Sequence, residues 1–495
     1  MATGVVVTTS VRTGPSNPPG PDSGRGFLVG LAERGPSNVA ARVASITQFE
    51  DIFGVRNSYS GSLYDAARLF FEEGGSTLFV GRVVGPAAAA GLLVLKDRTG
   101  GTPLDTARIV ALSAGAWSAT IKIAVVAGTV AGTVRVDVYV NDVATERWDN
   151  IADIPTLVAR LLNSAHVRGV DLGAASTYPT RLPALLAPTV LSTGTDDRGA
   201  VTTSHVLAAA NALFPDTLGA GAVAAPGYPA STIGAGLIAH AKATGRMAIL
   251  AGGSADDAAT VKSTAATLAA APDGDYGMIF FPWVRFPDGS GVRSASPEGA
   301  VMGKRAKAHD LVGFWQPAAG GFGEFTFVTA TEVAGNAVSL STADIDSLSD
   351  GKVNGIVTIG TALKIYGWSS LSAVEGYELG TARDILNVLT ALAKDILEPY
   401  VWTVIDGRGQ MISNIAGEMG GMLQPLADRD AFYPNIDPDT GDVIDPGYSV
   451  TVNSANNPTS VAANNRVVTR IAVRTSPYAK LIEVAIVKAG LNSSV

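Results

Sequence analysis

A glycine pattern typical of dinucleotide-binding loops is the first feature of this sequence that could do chemistry. Gly234, Gly236 and Ala239 match G-x-G-x-x-G/A, and Asp256 follows about 20 residues later. The fingerprint places its glycines directly between a strand and a helix, because the backbone there approaches the pyrophosphate. Here residues 226–229 (PGYP) separate the preceding strand from the glycines, and a chain with 56 glycines produces such spacings by chance. We therefore predict no cofactor site.

A lysine that follows a glycine raises the question of a nucleotide-binding P-loop. The Walker A motif, G-x-x-x-x-G-K-[ST], needs a glycine five residues before Gly303 and a hydroxyl residue after Lys304. Glu298 and Arg305 stand at those two positions, so both requirements fail. We predict a protein without ATPase or GTPase activity, whose motions would draw on stored conformational energy.

Hydrolase and metal chemistry also lack their usual patterns. The sequence contains no G-x-S-x-G elbow, and its histidines stand singly, which predicts structural roles for them. These histidines are His166, His205, His240 and His309. The acidic segment 437–445 superficially resembles a calcium loop, but an EF-hand loop needs a third ligand, a later glycine and a bidentate Glu that are missing here. A hairpin turn accounts for the segment, and we predict neither catalytic residues nor a metal site.

The bulk composition excludes further classes of protein. The 495 residues carry 36 Lys and Arg against 44 Asp and Glu, and no stretch concentrates the basic residues, which argues against nucleic acid and membrane partners. There are no cysteines, so disulfides and Cys-ligated zinc are excluded. The start lacks a signal pattern and the apolar runs are shorter than the ~18–20 residues of a membrane span, which predicts a soluble protein made in the cytoplasm. Hydrophobic residues make up 47%, and this surplus favours subunit interfaces.

The predicted elements follow an α/β pattern that is interrupted once. From Gly26 onwards strands alternate with helices, and such alternation predicts a parallel, doubly wound sheet. The start of one helix, Ser62 to Asp65, resembles a capping box with Asp in place of Glu. Residues 87–195 differ, because β-branched runs around a glycine turn indicate hairpins. A strong amphipathic helix, with Ile385 and Leu389 on one face, belongs to the section after residue 371.

The predicted fold class is therefore α/β, with a doubly wound, mostly parallel sheet core and an inserted mostly-β domain. An α+β C-terminal domain and extended terminal β-arms complete it. The predicted boundaries are 1–25 for an N-terminal arm and linker, 26–86 for the N-terminal part of the core, 87–195 for the inserted outer domain, 196–370 for the α/β core, and 371–495 for a C-terminal inner domain with its terminal arm.

Two β-prone segments at the ends of the chain have no evident local partner. The first precedes a linker, residues 13–24, that is too rich in Pro and Gly to pack. The second carries β-branched residues on both faces, as a strand buried between partners would. We predict that the two segments pair in a sheet completed on an adjacent subunit. They comprise Val5, Val6, Val7, Thr8 and Thr9, and Leu481, Ile482, Glu483, Val484, Ala485, Ile486 and Val487.

A series of motifs resembles, in order and spacing, the pattern of the contractile tail sheath family. No single motif is decisive, but together they cover most of residues 26–405. They are GFLVGLAERGPSN (26–38), the short segment 49–54, LYDAARLFF (63–71), GGS (74–76), VGRV (80–83), SAGAWS (113–118), LSTGTD (191–196), APG (225–227), FPWVR (281–285), GFWQPAAG (313–320), NG (354–355) and YG (366–367). Departures are Ala114 where proline is usual, Ala382 in place of the first residue of an arginine pair, and IDGRG (405–409) in place of an F-E-P-N segment.

The resemblance implies a structural subunit of a viral tail. Such subunits polymerise around a tail tube protein as a homo-oligomeric, six-fold helical sheath, in an extended metastable state, and contact baseplate and tail terminator proteins. Contraction drives the tube through the host envelope, so the expected location is the virion tail of a bacteriophage, assembled in the host cytoplasm. The sheath of a non-viral contractile injection system is the alternative, and a nucleotide-dependent α/β enzyme is a distant one, because doubly wound sheets host many functions.

Overall fold

The computed structural model describes residues 23–289 and 291–480. Strands and helices alternate through most of this range. The strands are β1 Gly26–Gly30, β2 Ala41–Val43, β3 Leu78–Arg82, β4 Leu92–Lys96, β5 Asp105–Ala111, β6 Ile121–Ala127, β7 Val134–Val140, β8 Val143–Ile151, β9 Val167–Asp171, β10 Leu186–Val190, β11 Ala222–Ala224, β12 Met247–Ala251, β13 Gly277–Phe281, β14 Trp283–Asp288, β15 Gly291–Ala295, β16 Ala330–Val333, β17 Asn336–Val338, β18 Val353–Ile359, β19 Ala362–Ile365, β20 Asn435–Ile436, β21 Val443–Asp445, β22 Tyr448–Thr451 and β23 Arg470–Val473. The helices are α1 Ile46–Phe53, α2 Gly61–Glu72, α3 Ile154–Leu161, α4 Thr203–Leu213, α5 Ala230–Thr244, α6 Ala258–Ala269, α7 Glu298–Leu311, α8 Thr342–Asp350, α9 Gly380–Leu397, α10 Gln410–Ala427 and α11 Thr459–Ala462.

The largest sheet has the strand order β19-β18-β13-β12-β11-β1-β3-β2. Its six inner strands run parallel, and the edge strands β2 and β19 run antiparallel to their neighbours. Several smaller antiparallel sheets accompany it. The α/β class and the mostly parallel sheet predicted from the sequence are thereby confirmed, while the division into domains stays a prediction.

Helices cover both faces of this sheet, and β1 shows how the sequence divides between the two cores. Successive side chains of a strand point to opposite faces. Leu28 accordingly belongs to a core that includes α1, α2 and α7, whereas Phe27 and Val29 belong to a core that includes α4, α5 and α6. Because both faces are buried, β1 is apolar throughout instead of alternating, as expected for a parallel strand between two helical layers.

Residues between β3 and α4 form two antiparallel sheets with a core of their own. One sheet has the order β4-β5-β9 and the other β10-β6-β7-β8, and α3 packs with them. Both ends of this region return to one place, since the backbone N–H of Gly85 donates to Asp196 O at 2.8 Å and that of Ala89 donates to Thr195 O at 2.8 Å.

The chain divides into two compact units, one up to Val388 and one from Leu389, so that the boundary lies within α9. The first unit, called unit 1 here, contains the large sheet and the two sheets just described. Unit 2 contains α10, α11 and the short sheets β20-β21 and β22-β23, around a small core that includes Ile415, Met419 and Val452.

The start of α2 differs from the sequence prediction. Its N-cap residue is Ser60, and Ser62 and Asp65 form no capping box. The Asp65 carboxylate is buried and pairs with Arg56 at 3.0 Å and Arg293 at 2.7 Å. Arg293 lies far along the chain, so a local pattern could not reveal that this carboxylate serves a tertiary ion pair.

Candidate functional site

Helix α7 carries an unusual set of buried charged and titratable side chains. Its members are Glu298, Lys304, Arg305 and His309, all nearly inaccessible to solvent. A charge is rarely buried unless it is paired and hydrogen-bonded, because its transfer out of water is costly. The partners of these side chains therefore identify the parts of the fold that α7 holds together.

Arg305 connects Ser23 with the N-terminal part of α9. Its Nη1 donates to the backbone oxygen of Ser23 at 2.7 Å, while its Nη2 and Nε donate to Asp384 Oδ1 and Oδ2 at 2.5 and 3.2 Å. Both charged groups are at most 2% exposed. A fork of this kind matches carboxylate geometry and holds two elements in a defined orientation.

The same cluster brings together Ser23, His309 and Asp384, the residue types of a serine-hydrolase triad. Ser23 Oγ lies 3.0 Å from Nδ1 of His309, and Asp384 Oδ2 lies 3.8 Å from Nε2. The second distance exceeds a hydrogen bond, and Asp384 is already engaged by Arg305. Burial, and then the Arg305 charge, lower the pKa of His309 well below its ordinary value, so the ring resists the protonation that a general base must undergo. Ser23 is also buried, and we interpret the cluster as structural.

Lys304 forms the second buried ion pair of α7. Its Nζ lies 2.7 Å from Glu73 Oε2. The Glu73 carboxylate also accepts the backbone N–H groups of Thr326, Phe327 and Val328 at 2.9–3.0 Å. Burial alone would raise the pKa of Glu73, but the bonds from Lys304 and from these amides outweigh it and hold the pKa below its ordinary value. The lysine considered for a P-loop thus ties α7 to the end of α2 and to the segment before β16.

Glu298, the other residue of the failed Walker pattern, is buried at the start of α7. Among the described residues its Oε2 has no hydrogen-bond partner. Burial raises the pKa of this carboxyl to about 7, against a bond with Ser296 that lowers it. The group therefore titrates near neutral pH in the folded protein and near its ordinary value of 4.5 in the unfolded chain.

Stability should consequently depend on pH through Glu298. Between pH 4.5 and about 7, Glu298 is protonated in the folded protein and ionised in the unfolded chain. The free energy of unfolding therefore falls as pH rises through this window, and the full destabilisation is reached above it. Replacement by glutamine, Glu298→Gln, should raise Tm relative to the parent protein more at pH 8 than at pH 5. The corresponding gain in the free energy of unfolding is at most roughly 3 kcal/mol. Thermal unfolding at both pH values measures this, and a Tm difference independent of pH would contradict it.

The glycines of the dinucleotide-like pattern lie inside α5 and serve helix packing. A Cβ on Gly234 would come within 2.8 Å of Leu268 of α6, and one on Gly236 within 2.4 Å of Leu207 of α4. The pattern therefore lets neighbouring helices approach α5, and neither glycine lies in a loop that could receive a phosphate.

The position where doubly wound sheets usually bind ligands is occupied by Arg82. The chain runs from β1 to β3 on one side and continues with β11 on the other, so the switch point lies at the carboxyl end of β1. There, Arg82 donates to the backbone oxygens of Ala32, Glu33 and Gly35 at 3.0–3.2 Å, and also to Ala114 O at 2.8 Å. A phosphate would need N–H donors at this edge. The loop after β1 instead points its carbonyl oxygens at the Arg82 guanidinium, so this edge does not form a phosphate site.

Three of the remaining sequence candidates have structural partners. His240 is buried with Nδ1 2.8 Å from Asn211 Oδ1, and His205 forms a capping box with Thr202 at the start of α4. Asp437 accepts the N–H of Asp439 at 2.8 Å within the hairpin turn before β21. Over the described ranges, no group of three or more His, Cys, Asp and Glu is arranged to hold a metal ion, and no helix is long and apolar enough to cross a membrane.

The predicted strand-exchange segments lie outside the described residues. The described part of unit 2 does contain a sheet of only two strands, β22 and β23, paired from Tyr448 with Val473 to Thr451 with Arg470. Unit 2 also exposes apolar side chains in the loop after α9, with Trp402 99% and Val404 83% exposed. Exposed apolar groups in this number favour contacts with other molecules.

Comparison with known proteins gives a consistent result at the level of fold. No protein-family model matches the sequence, and no curated protein matches it. Among solved structures, the sheath tail protein of Listeria innocua is similar with a TM-score of 0.59 and 14% identity, covering 88% of this chain and 89% of that one. The helical sheath of the anti-feeding prophage, in its contracted state, is similar with a TM-score of 0.54 and 12% identity over 99% of both chains.

A third similar structure is the sheath complex of an extracellular contractile injection system in the contracted state. Its TM-score is 0.51 and its identity 10%, over 98% of this chain and 99% of that one. The chain has the fold of contractile sheath proteins. The resemblance found in the sequence motifs is thereby confirmed, and the named structures are sheath proteins rather than enzymes.

Sequence reasoning missed the buried pairs that stabilise this sheath fold. Ser23, His309 and Asp384 are separated by 286 and 75 positions, and no local pattern joins them. One signal was present, since α7 places Lys304, Arg305 and His309 among small and apolar residues. Charged residues spaced in this way indicate buried pairing, but they do not say with which residue.

Proposed function

We propose that the chain is a structural subunit of a contractile tail sheath. It polymerises around a tail tube in an extended, metastable state and contracts to drive the tube through a host envelope. The observation that carries this proposal is the likeness to a contracted helical sheath over 99% of both chains, which includes both compact units. The proposed partners are further copies in a six-fold helical sheath, the tail tube protein, and baseplate and tail terminator proteins.

Electron microscopy of the protein produced together with its tube protein tests this proposal. We expect long tubes with a helical outer layer and, after a trigger, shorter and wider ones. Discrete small oligomers that do not bind the tube protein would contradict the proposal and favour the enzyme alternative.

The sheath of a non-viral injection system is the second candidate. The likeness to an extracellular contractile injection system favours it, while the sheath tail proteins among the similar structures suit either machine. Capsid and portal genes beside this gene would place the sheath in a virion tail, and their absence would favour the injection particle.

Strand exchange between subunits is the proposed means of assembly. Among the described residues no third strand joins β22 and β23, and an isolated two-stranded sheet is marginally stable in water. Open edges of such a sheet offer unpaired N–H and C=O groups to an incoming strand. Segments 5–9 and 481–487 have the β-prone sequences to fill them, and residues 13–22 can span up to about 35 Å when extended.

The protein should show no ATPase or GTPase activity. Arg82 holds the carboxyl end of β1 with carbonyl acceptors, and Lys304 is committed to Glu73, so neither supplies a phosphate cradle. Phosphate release by the purified parent protein with either nucleotide should equal the background. Because Lys304→Ala would damage the fold, turnover that co-purifies with folded parent protein is the result that would contradict the prediction.

Residues 87–195 are proposed to face outward and to be dispensable for binding the tube. Since Gly85 and Asp196 are hydrogen-bonded, a short Gly-Ser linker can replace this region without moving its neighbours. Arg82 would lose the acceptor Ala114 O, which should cost about 1.5–3 kcal/mol of stability. We expect the shortened chain to fold, with a lower Tm, and to form narrower tubes on the tail tube. A folded variant that fails to surround the tube would contradict the assignment.

A further inference from the structure

Two parts of unit 1 that are far apart in sequence contact the same side chain, that of Arg305. The sequence assigned Ser23 to linker 13–24, but the structure buries it against α7. Asp384 lies near the start of α9, which continues to the unit boundary. Arg305 binds both, through the Ser23 carbonyl and the Asp384 carboxylate. Among the described contacts these are distinct bonds from different nitrogen atoms of one guanidinium group.

The neighbouring contacts restrict the movement of Ser23 and Gly24 relative to α7. A Cβ on Gly24 would come within 3.3 Å of Cα of Ala306, so the chain lies directly against α7. Ser23 Oγ adds a contact to His309 one turn further along the helix. With Asp384 only 1% exposed, water cannot replace a lost partner, and a broken bond would leave the Arg305 charge uncompensated in a medium of low dielectric constant.

We propose that Arg305 is a positioning residue that couples the residues around Ser23, where the N-terminal segment joins unit 1, to the N-terminal part of α9. The proposal rests on the proposed function, in which a neighbouring subunit holds the N-terminal segment. A force on that segment is then transmitted to α9 through the guanidinium group of Arg305. Coupling of this kind is reciprocal, so loosening of the α9 side must also loosen the residues around Ser23.

Hydrogen exchange of the purified full-length chain tests the coupling. The Asp384→Asn variant removes the charge on the α9 side without touching Ser23. We expect amide exchange to become roughly tenfold faster in residues 380–388 and also in residues 23–30, as the loss of a bond to a charged group predicts.

A matched control lies next to this contact. Arg383, next to Asp384 in α9, pairs with Asp275 and stacks on Tyr276, and these contacts do not involve Arg305. The Asp275→Asn variant should therefore speed exchange in residues 380–388 and leave residues 23–30 unchanged. If both variants affect residues 23–30 alike, or if neither does, the coupling is overturned.

Arg305→Lys provides a second variant in case Asp384→Asn is too unstable. A lysine keeps the charge but presents a single ammonium group, which cannot serve the carboxylate fork and the carbonyl together. Exchange should again rise at both segments, whereas uniform loss of protection throughout unit 1 would count against a local coupling. Because the measurement uses unassembled protein, failure to form sheaths would overturn the proposed function and leave this result intact.

Discussion

A Val7→Pro substitution is expected to leave a folded monomer and to abolish sheath assembly. Proline lacks the backbone N–H that a strand donates to its neighbour, and its ring fixes φ, so it cannot continue a ladder of hydrogen bonds. Because segment 5–9 is proposed to pair with another subunit, we expect the change to spare the fold of the monomer. Assembly on the tube should fall from complete to undetectable, as measured by sedimentation and negative-stain microscopy.

Two further variants sharpen this test. Val484→Pro in the second segment should give the same defect, because both segments are proposed to enter one shared sheet. Val7→Ile keeps the N–H and the β-branched side chain, and it should assemble normally. Full-length, contraction-competent sheaths from Val7→Pro would refute strand exchange and leave residues 1–12 without a role in assembly.

The second large effect is expected at the Lys304–Glu73 pair. Lys304→Ala removes the cation and leaves a buried carboxylate, and breaking a buried pair from one side costs about 3–5 kcal/mol. That is a large part of the roughly 5–15 kcal/mol that stabilises an ordinary domain. We expect a strongly lowered unfolding midpoint in urea, with much of the protein insoluble on expression.

The controls follow from the same contacts. Lys307 lies on the exposed side of α7, so Lys307→Ala should change stability by no more than about 0.5 kcal/mol. The double variant Glu73→Gln with Lys304→Met leaves no unpaired charge, but the glutamine NH2 group cannot accept a backbone N–H, so it should recover only part of the loss. A Lys304→Ala protein as stable as Lys307→Ala would show that the pair contributes nothing.

The pH dependence of this pair has the opposite sign to that of Glu298. Because the pKa of Glu73 is lowered in the folded protein, its contribution is fully present above its ordinary value of 4.5 and is lost as pH falls through the folded value. The difference between the parent protein and the double variant should therefore shrink in acid, whereas the advantage of Glu298→Gln should grow in base.

The alternation of strands and helices, and most of their positions, follow from local sequence patterns. Hairpins within residues 87–195 were predicted from β-branched runs around a glycine turn, and the structure pairs β6 with β7 there. The amphipathic helix with Ile385 and Leu389 on one face was predicted from its spacing, and it corresponds to α9. The sheath resemblance also lies in short local motifs, which explains why the motifs indicate the fold at identities of 10–14%.

The roles of the charged residues of α7 depend on how distant elements pack together. Helix α7 is buried on nearly all sides, so it has no amphipathic stripe by which a periodicity argument could detect it. The partners of Lys304 and Arg305 lie at Glu73, Ser23 and Asp384, and sequence spacing carries no information about contacts that arise when distant elements pack. Local patterns depend on neighbours along the chain, whereas a buried ion pair depends on which elements the fold brings together.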